Sequence, residues 1–129
     1  MLPCCHGVPA DPEQTEARVK EVGTLRVGIV ESSEHRAFDG FVTMVEKHTG
    51  ASAEPERGEA EHLLKKLENG QLDIVIGSFA KKSPWMRQVW LSKPLTNEKP
   101  ADDKPVLRAA ARNGENRWIM TIAKSVKQP

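Results

Sequence analysis

A chain of 129 residues has room for one hydrophobic core but not for two domains of ordinary size. Its composition, 38% hydrophobic and 29% charged, is typical of a globular protein and excludes a disordered one. The balance of 19 basic against 18 acidic residues lacks the basic excess of a general nucleic-acid binder, and no run of about 18 apolar residues predicts a membrane span.

Residues 1–10 are predicted to form a flexible tail, which holds the only two cysteines, Cys4 and Cys5. Neighbouring cysteines pair only through a strained ring, so we expect no structural disulfide. Leu2 stands three residues before Cys5, as an aliphatic residue does before the acylated cysteine of bacterial lipoproteins. Cys5 is therefore a candidate lipidation site, although the basic and apolar regions of a signal are missing. A metal site with His6 would lack a fourth ligand, and a tail without a role is the third interpretation.

The first predicted elements are a helix, a strand and a second helix. Residues 11–22 favour a short helix with Asp11 as its N-cap, which Gly23 ends. Residues 25–30 alternate and finish in an apolar run, as a core strand does. The second helix ends near Gly50, and its apolar face comprises Phe38, Phe41, Val42 and Val45.

A weak strand over residues 51–56 precedes a third helix, which Gly70 ends. The apolar face of this helix repeats the same spacing in Ala60, Leu63, Leu64 and Leu67. Residues 72–77 are then predicted to form a buried strand rich in β-branched side chains. The alternation of strands and helices indicates a parallel sheet with helices packed against it.

The last third of the chain is predicted to hold a loop, a strand and a helix. Residues 92–105 are polar and contain three prolines, which favours a loop. Residues 106–111 form a strand, and Asn113–Gly114 turns the chain into a closing helix. The predicted apolar face of that helix is Ile119, Ile122, Ala123 and Val126. The predicted fold class is therefore α/β, with a mainly parallel sheet flanked by helices.

Four segments together resemble the amino-acid-binding class of periplasmic solute-binding proteins (the family 3 type), the receptors of ABC importers. They are Gly23-Thr24-Leu25-Arg26-Val27-Gly28-Ile29, Phe38-Asp39-Gly40-Phe41, the run from Leu63 to Gly77, and Leu91-Ser92-Lys93-Pro94-Leu95. The last is similar to the family's Phe-Ser-x-Pro-Tyr before the first hinge. The resemblance implies one lobe of a type II periplasmic binding protein fold and a periplasmic location.

The chain departs from this family in its length, because family members are roughly twice as long and close two lobes on a ligand. The resemblance implies a single lobe over residues 11–129, in which a linker over 96–105 replaces most of the second lobe. Residues 106–111 and the helix after them resemble the family's return segment. We expect the second lobe to have been lost naturally, since a simple truncation would end near Pro94.

A second departure concerns the arginine that binds the ligand's α-carboxylate in the family's Thr-x-x-Arg segment. Here the region reads Ala80-Lys81-Lys82-Ser83-Pro84-Trp85-Met86-Arg87. Counting back from Pro94 places Trp85 where the arginine would stand. Arg87 could take that role only in a different register.

Ligands of parallel α/β sheets bind at the carboxyl ends of the strands. That rule predicts ligand-binding roles for Glu31 and Ser32 after the first strand, and for Ser78 and Phe79 after the third. A serine hydroxyl there can donate a hydrogen bond to an anionic ligand. A turn or capping role is the structural alternative for Ser78.

The loop after the third strand adds cations and an aromatic ring to this candidate site. Lys81 and Arg87 could attract a carboxylate or phosphate, or could belong to a solvated basic loop. Trp85 and Trp90 could line a ligand site, anchor a protein interface, or pack into the core. Trp118 is predicted to pack inward from the closing helix.

Nothing in the sequence predicts catalysis or a cofactor. His35, His48 and His62 are scattered, and His62 is predicted to lie on the polar side of its helix. The sequence contains no metalloprotease, hydrolase, phosphate-loop or dinucleotide motif. We therefore predict a protein that is not an enzyme and holds neither a cofactor nor a metal.

The predicted function is that of a periplasmic solute-binding-protein-like domain. It would bind a small anionic or amino-acid-like ligand weakly, because one lobe cannot bury most of a small polar ligand, or it would act through a homodimer that supplies the missing wall. The alternative is a protein-interaction or sensor accessory module that has lost ligand binding and contacts a transporter or receptor. We expect no nucleic-acid partner, and contact with a membrane only through a lipid anchor on Cys5.

Overall fold

The structure, a computed structural model, describes residues 14–31, 35–80, 88–96 and 105–126. The predicted tail, the Asp11 N-cap and most of the predicted linker lie outside these residues. The elements of the described part are, in chain order, α1 (Thr15–Val22), β1 (Thr24–Val30), α2 (His35–Thr49), β2 (Ser52–Gly58), α3 (Ala60–Glu68), β3 (Ile74–Phe79), β4 (Val89–Leu91), β5 (Val106–Arg112) and α4 (Asn116–Ser125).

The five strands form one mixed sheet in the order β2-β1-β3-β5-β4. Strand β1 pairs in parallel with both β2 and β3, whereas β5 pairs antiparallel with β3 and β4. Four strands therefore run in one direction and only β5 runs in the other. The α/β class and the predominance of one strand direction are confirmed, and the chain's return through β5 makes the sheet mixed.

The largest differences from the predicted strands concern β3 and β4, whereas β2 ends two residues later than expected. Strand β3 begins at Ile74, two residues later than expected, and extends to Phe79 because its last residues pair with the start of β5. Strand β4 was not predicted, because it has only three residues and is too short for any alternation to show.

Helices cover both faces of the sheet. Helices α1, α2 and α4 pack on one face, around a core that includes Val27, Ile29, Val45 and Trp118. Helix α3 covers the other face with its three leucines, all at most 1% exposed. The predicted apolar faces of α2 and α3 are confirmed, as is the inward position of Trp118, which is fully buried.

The buried face of α4 differs from the predicted apolar face, because it includes two polar residues and leaves one predicted apolar residue exposed. Ala123 is exposed, whereas Thr121 and Ser125 are buried. Their hydroxyls are satisfied: Thr121 Oγ1 donates to Glu16 Oε2 on α1, and Ser125 Oγ lies 2.9 Å from Nδ1 of His48. An apolar-only pattern cannot identify such positions, because their burial depends on partners elsewhere in the chain.

A second polar contact ties α4 to the N-terminus of α1. Glu115 precedes α4 and is 1% exposed. Its Oε1 accepts hydrogen bonds from the backbone N–H of Thr15 at 3.1 Å and from the Thr15 hydroxyl at 2.6 Å. A carboxylate at a helix N-terminus satisfies otherwise unpaired N–H groups and interacts favourably with the helix dipole. The start of α4 is thereby fixed to the start of α1.

The carboxylate of Asp73 joins the elements at the amino end of β3. Its side chain is fully buried, and it accepts hydrogen bonds from two guanidinium groups. Arg18 Nη2 on α1 and Arg26 Nη2 on β1 each lie 2.9 Å from Asp73 Oδ1. The other oxygen accepts from Arg26 Nε at 3.2 Å and from the Arg26 backbone N–H at 2.8 Å.

The backbone of Asp73 extends the same network to β1 and α4. Its N–H donates to the Arg26 carbonyl at 2.9 Å, and its carbonyl accepts from Trp118 Nε1 at 2.9 Å. One residue therefore connects α1, β1 and α4 to the start of β3. Because Asp73 is fully buried, each of its oxygen atoms needs these partners.

Replacement of Asp73 by Asn is expected to lower the free energy of unfolding by about 2–4 kcal/mol. The amide keeps the shape of the side chain, but it removes the charge that both arginines share and cannot accept at both atoms. Urea unfolding of D73N checks this, with E21Q as the control because Glu21 is an exposed residue of α1. Equal stability of the two variants would contradict the role of Asp73.

Candidate functional site

The carboxyl ends of β1, β2 and β3 meet at one edge of the sheet, which we call the carboxyl edge. Strand β5 begins there, since Val106 is in register with Phe79, the last residue of β3. Helix α2 follows β1, and α3 follows β2 after the single residue Glu59, so both helices start at this edge. The positive ends of two helix dipoles therefore lie at the carboxyl edge.

Two of the predicted ligand-binding residues are exposed at this edge. Glu31 follows β1, and its backbone N–H donates to the Gly58 carbonyl at 3.0 Å. Ser78 is the exposed residue of β3. Counting two residues on from the paired Ile29 and Ile76 brings Glu31 to the level of Ser78. Within the described residues, neither side chain makes a hydrogen bond or ion pair.

Phe79, which was predicted to bind a ligand, is buried. Its ring is 5% exposed and packs in the core beneath α3, with Leu63 and Val89 in the same cluster. The burial of the ring does not support a side-chain contact with a ligand. The carbonyl oxygen of Phe79, rather than its ring, takes part in the contacts of this edge.

The remaining predicted ligand residues, Ser32, Lys81, Trp85 and Arg87, lie outside the described residues, as does Cys5. Trp90 is described, and it is half-buried at the outer edge of the sheet, packed against the core. His62 is exposed on α3, as predicted.

A buried arginine lies at the carboxyl edge, and the sequence analysis did not select it. Arg108 is the third residue of β5, in register with Gly77, and is 5% exposed. Its Nε donates to the Phe79 carbonyl at 3.1 Å, and its Nη1 donates to the Ser92 carbonyl at 2.7 Å. These carbonyls belong to the ends of β3 and β4, so Arg108 fixes both strand ends.

The charge of Arg108 has no carboxylate partner within the described part of the chain. Burial lowers the pKa of the Arg108 guanidinium from its ordinary value, because a charged group loses hydration when it is removed from water. Since the pKa is lower in the folded state than in the unfolded state, the charged form opposes folding at every pH below the lowered pKa. That cost is fully present at neutral pH.

The only sequence signal of this residue is a cation inside an apolar strand. Arg108 interrupts the run Val106-Leu107-Arg108-Ala109-Ala110-Ala111, of which every member is buried. A buried cation raises the positive potential around it more than an exposed one, because little water screens it. An anionic group bound at the carboxyl edge would reduce the free-energy cost of that buried charge.

The described residues show neither a metal cluster nor a membrane span. No group of three or more His, Cys, Asp or Glu side chains there is placed to hold a metal ion. The helices of the described segments include none with the length and apolar character needed to cross a membrane.

Solved structures share this fold, although neither a protein-family model nor a curated protein matches the sequence. The arginine-bound form of domain 1 from TmArgBP superposes with a TM-score of 0.70 at 15% identity, covering 84% of this chain and 95% of that domain. A double mutant of the VFT2 domain of Bordetella pertussis BvgS gives a TM-score of 0.63 at 10% identity, over 92% of this chain and 93% of that one.

The chain therefore has the fold of one lobe of an amino-acid solute-binding protein. The match spans nearly all of a single isolated domain of TmArgBP, which confirms that the resembling segments form one lobe. An ancestral cyclohexadienyl dehydratase matches with a TM-score of 0.52 at 20% identity, and the match covers 69% of this chain and 40% of that one. Since an enzyme shares the fold, the function must be argued from the residues of the site.

Replacement of Arg108 by Lys is expected to reduce the free energy of unfolding by about 1–3 kcal/mol, although the charge is kept. An ammonium group on a flexible stem cannot reproduce the fork of the guanidinium, so one of the two strand-end carbonyls loses its donor. Thermal and urea unfolding of R108K would measure the loss. The matched control is R57K, because Arg57 is exposed on β2, and similar midpoints for both variants would contradict the role of Arg108.

Proposed function

We propose that this chain is a solute-binding-protein-like module that binds a small amino-acid-like or carboxylate ligand weakly at the carboxyl edge. The observation that carries the proposal is the buried Arg108, which has no carboxylate partner among the described residues. A buried cation at the edge where α/β folds bind ligands favours an anionic group there.

The exposed residues of the edge provide the polar contacts for such a ligand. The Ser78 hydroxyl donates a hydrogen bond to the ligand carboxylate, and the starts of α2 and α3 add a positive potential. Glu31 accepts from a ligand ammonium group, which favours an amino acid over a simple carboxylate. Lys81 and Arg87 follow β3 within eight residues in the sequence and supply further positive charge.

The expected affinity is low because a single lobe leaves one side of the ligand in water. Binding by one lobe is nevertheless supported by domain 1 of TmArgBP, which was solved by itself in an arginine-bound form. In this chain the family's carboxylate-binding arginine is replaced by Trp85 in sequence register. Arg108 approaches the same edge from a different strand and offers a substitute for the missing charge.

The cellular setting proposed for this module is the periplasm, where it would serve an ABC importer or a receptor. The BvgS domains with this fold are periplasmic domains of that protein. Acylation of Cys5 would attach the module to a membrane as a lipoprotein.

Titration with L-arginine or L-glutamate, followed by backbone NMR, tests the ligand proposal. We expect saturable shifts in the millimolar range at Glu31 and Ser78. Replacement of Ser78 by Ala is expected to weaken binding about tenfold, because one hydrogen bond to a charged group is lost. L-argininamide lacks the carboxylate, so we expect it to bind the unchanged chain no more tightly than L-arginine binds S78A.

The matched protein control is S52A, because Ser52 is an exposed residue at the start of β2, on the opposite edge of the sheet. Its affinity should equal that of the unchanged chain. The ligand proposal fails if neither amino acid produces localised shifts at the carboxyl edge, or if S78A and S52A bind equally well.

A second candidate function is self-association through the open edge of β4. Among the described strands β4 ends the sheet, and a cavity of about 320 Å³ beside it is lined by Trp90, Leu91, Lys93, Ala123 and Val126. The opposite edge strand, β2, carries Pro55 and several charges, which oppose strand pairing. The contrast between the two edges favours pairing of β4 with a second copy of this chain.

Replacement of Trp90 by Gln is expected to shift the chain from dimer to monomer in sedimentation velocity. Its half-buried ring also packs against the core, so far-UV circular dichroism must show that W90Q is folded. The control is M120Q, which changes an apolar side chain that is 56% exposed on α4. A monomeric unchanged chain at high concentration would exclude this function.

A further inference from the structure

A polar cleft lies at the end of the sheet opposite the carboxyl edge. Its volume is about 460 Å³, and its lining residues are Arg18, Glu68, Asn69, Gly70 and Arg112. Arg112 is the last residue of β5 and Gly70 follows α3, so the cleft lies where β1 and β3 begin. We call it the amino-edge cleft.

Arginines predominate among the charged residues that line this cleft or lie beside it. Arg18 and Arg26 share the single carboxylate of Asp73, which leaves one positive charge of that trio uncompensated. Arg112 adds another cation at the wall, and Glu68, exposed at the end of α3, is the acidic residue of the lining. Two arginines and one glutamate therefore line this concave site.

The guanidinium of Arg18 is available to a ligand. Its side chain is 38% exposed, and among the described residues its one hydrogen bond is from Nη2 to Asp73 Oδ1. A guanidinium carries five N–H donors, so several of them can turn towards the cleft. Asp73 would keep its bonds to Arg26 if Arg18 engaged another acceptor.

Gly70 leaves room for the second guanidinium. A Cβ atom on this residue would lie 2.5 Å from Arg112 Nη2, a distance that real Cβ atoms do not adopt. The φ angle of Gly70 is +80°, which also favours glycine. Arg112 Nε and Nη2 contact the Leu67 carbonyl at 3.4 and 3.3 Å, which are long for such bonds.

The geometry points to a binding site for a small oxyanion in the amino-edge cleft, between Arg18 and Arg112. Two guanidinium groups at the wall of a concave site are suited to the paired oxygens of a carboxylate or phosphate group. A ligand with two negative charges is favoured over one with a single charge, because both arginines can then be engaged. Inorganic phosphate and succinate are the two probes of this chemistry.

Titration of the full chain with each probe, at constant ionic strength maintained with sodium chloride, tests the inference. We expect saturable NMR shifts at the backbone amides of Asn69 and Gly70, and at the side-chain Nε–H signal of Arg18. Stronger binding of phosphate would indicate a phosphate-bearing ligand, whereas stronger binding of succinate would indicate a dicarboxylate. Sodium acetate, with one charge, is expected to bind more weakly than either.

Replacement of Arg18 by Gln is expected to raise the dissociation constant about tenfold or more, the equivalent of one charge-assisted hydrogen bond. The fold should persist, since Asp73 keeps its three bonds to Arg26. The control K47Q removes one positive charge from an exposed position on α2. G70A displaces Arg112 without any change of charge and should also weaken binding.

Linear shifts that follow ionic strength alone would overturn this site, as would equal dissociation constants for R18Q and K47Q. The wild-type titration decides the question even if G70A fails to fold. The two ligand sites are separable, because shifts at Glu31 and Ser78 report on the carboxyl edge, whereas Asn69 and Gly70 report on the amino-edge cleft. S78A should leave phosphate binding unchanged.

Discussion

The carboxylate of Asp73 is the interaction on which the rest of the lobe depends. It is buried, and it accepts hydrogen bonds from Arg18 on α1 and from Arg26 on β1. Its backbone carbonyl also holds the indole of Trp118, the largest fully buried side chain. Because an unsatisfied buried carboxylate is very unfavourable, this network selects one arrangement of α1, β1, β3 and α4. Strand β5 and helix α4 are thereby joined to the same hydrophobic core as α1 and β1.

Arginines give the two ends of the sheet different electrostatic characters. At the carboxyl edge, Arg108 is buried and holds backbone carbonyls, so it would act on a ligand through its field and not through direct contact. At the amino-edge cleft, Arg18 is partly exposed and can contact a ligand directly. The first arrangement resists screening by salt and the second is sensitive to it, because water and ions reach only the second. The near-neutral net charge of the chain does not indicate either group of arginines.

The single-lobe architecture accounts for what the carboxyl edge can and cannot do. In a two-lobed binding protein the second lobe would cover the ligand, and much of the affinity comes from that burial. Ser78 and Glu31 are exposed here, so under the proposed function they would contact a ligand without enclosing it. Related folds serve an arginine-binding domain, a BvgS domain and a dehydratase, so the site residues must decide between such functions.

By itself the sequence determined the helices, the long strands and the class of fold. Those features follow from local apolar periodicity, which α2, α3 and β1 display clearly, and the order of segments was sufficient to suggest a solute-binding lobe. Only the tertiary structure decided that β4 exists, that α4 buries Thr121 and Ser125, and that Phe79 belongs to the core. The same holds for Arg108 and Asp73, whose roles depend on partners 16 to 55 residues away in the chain. A buried charge is stable only where distant elements satisfy it, and no local pattern records which elements those will be.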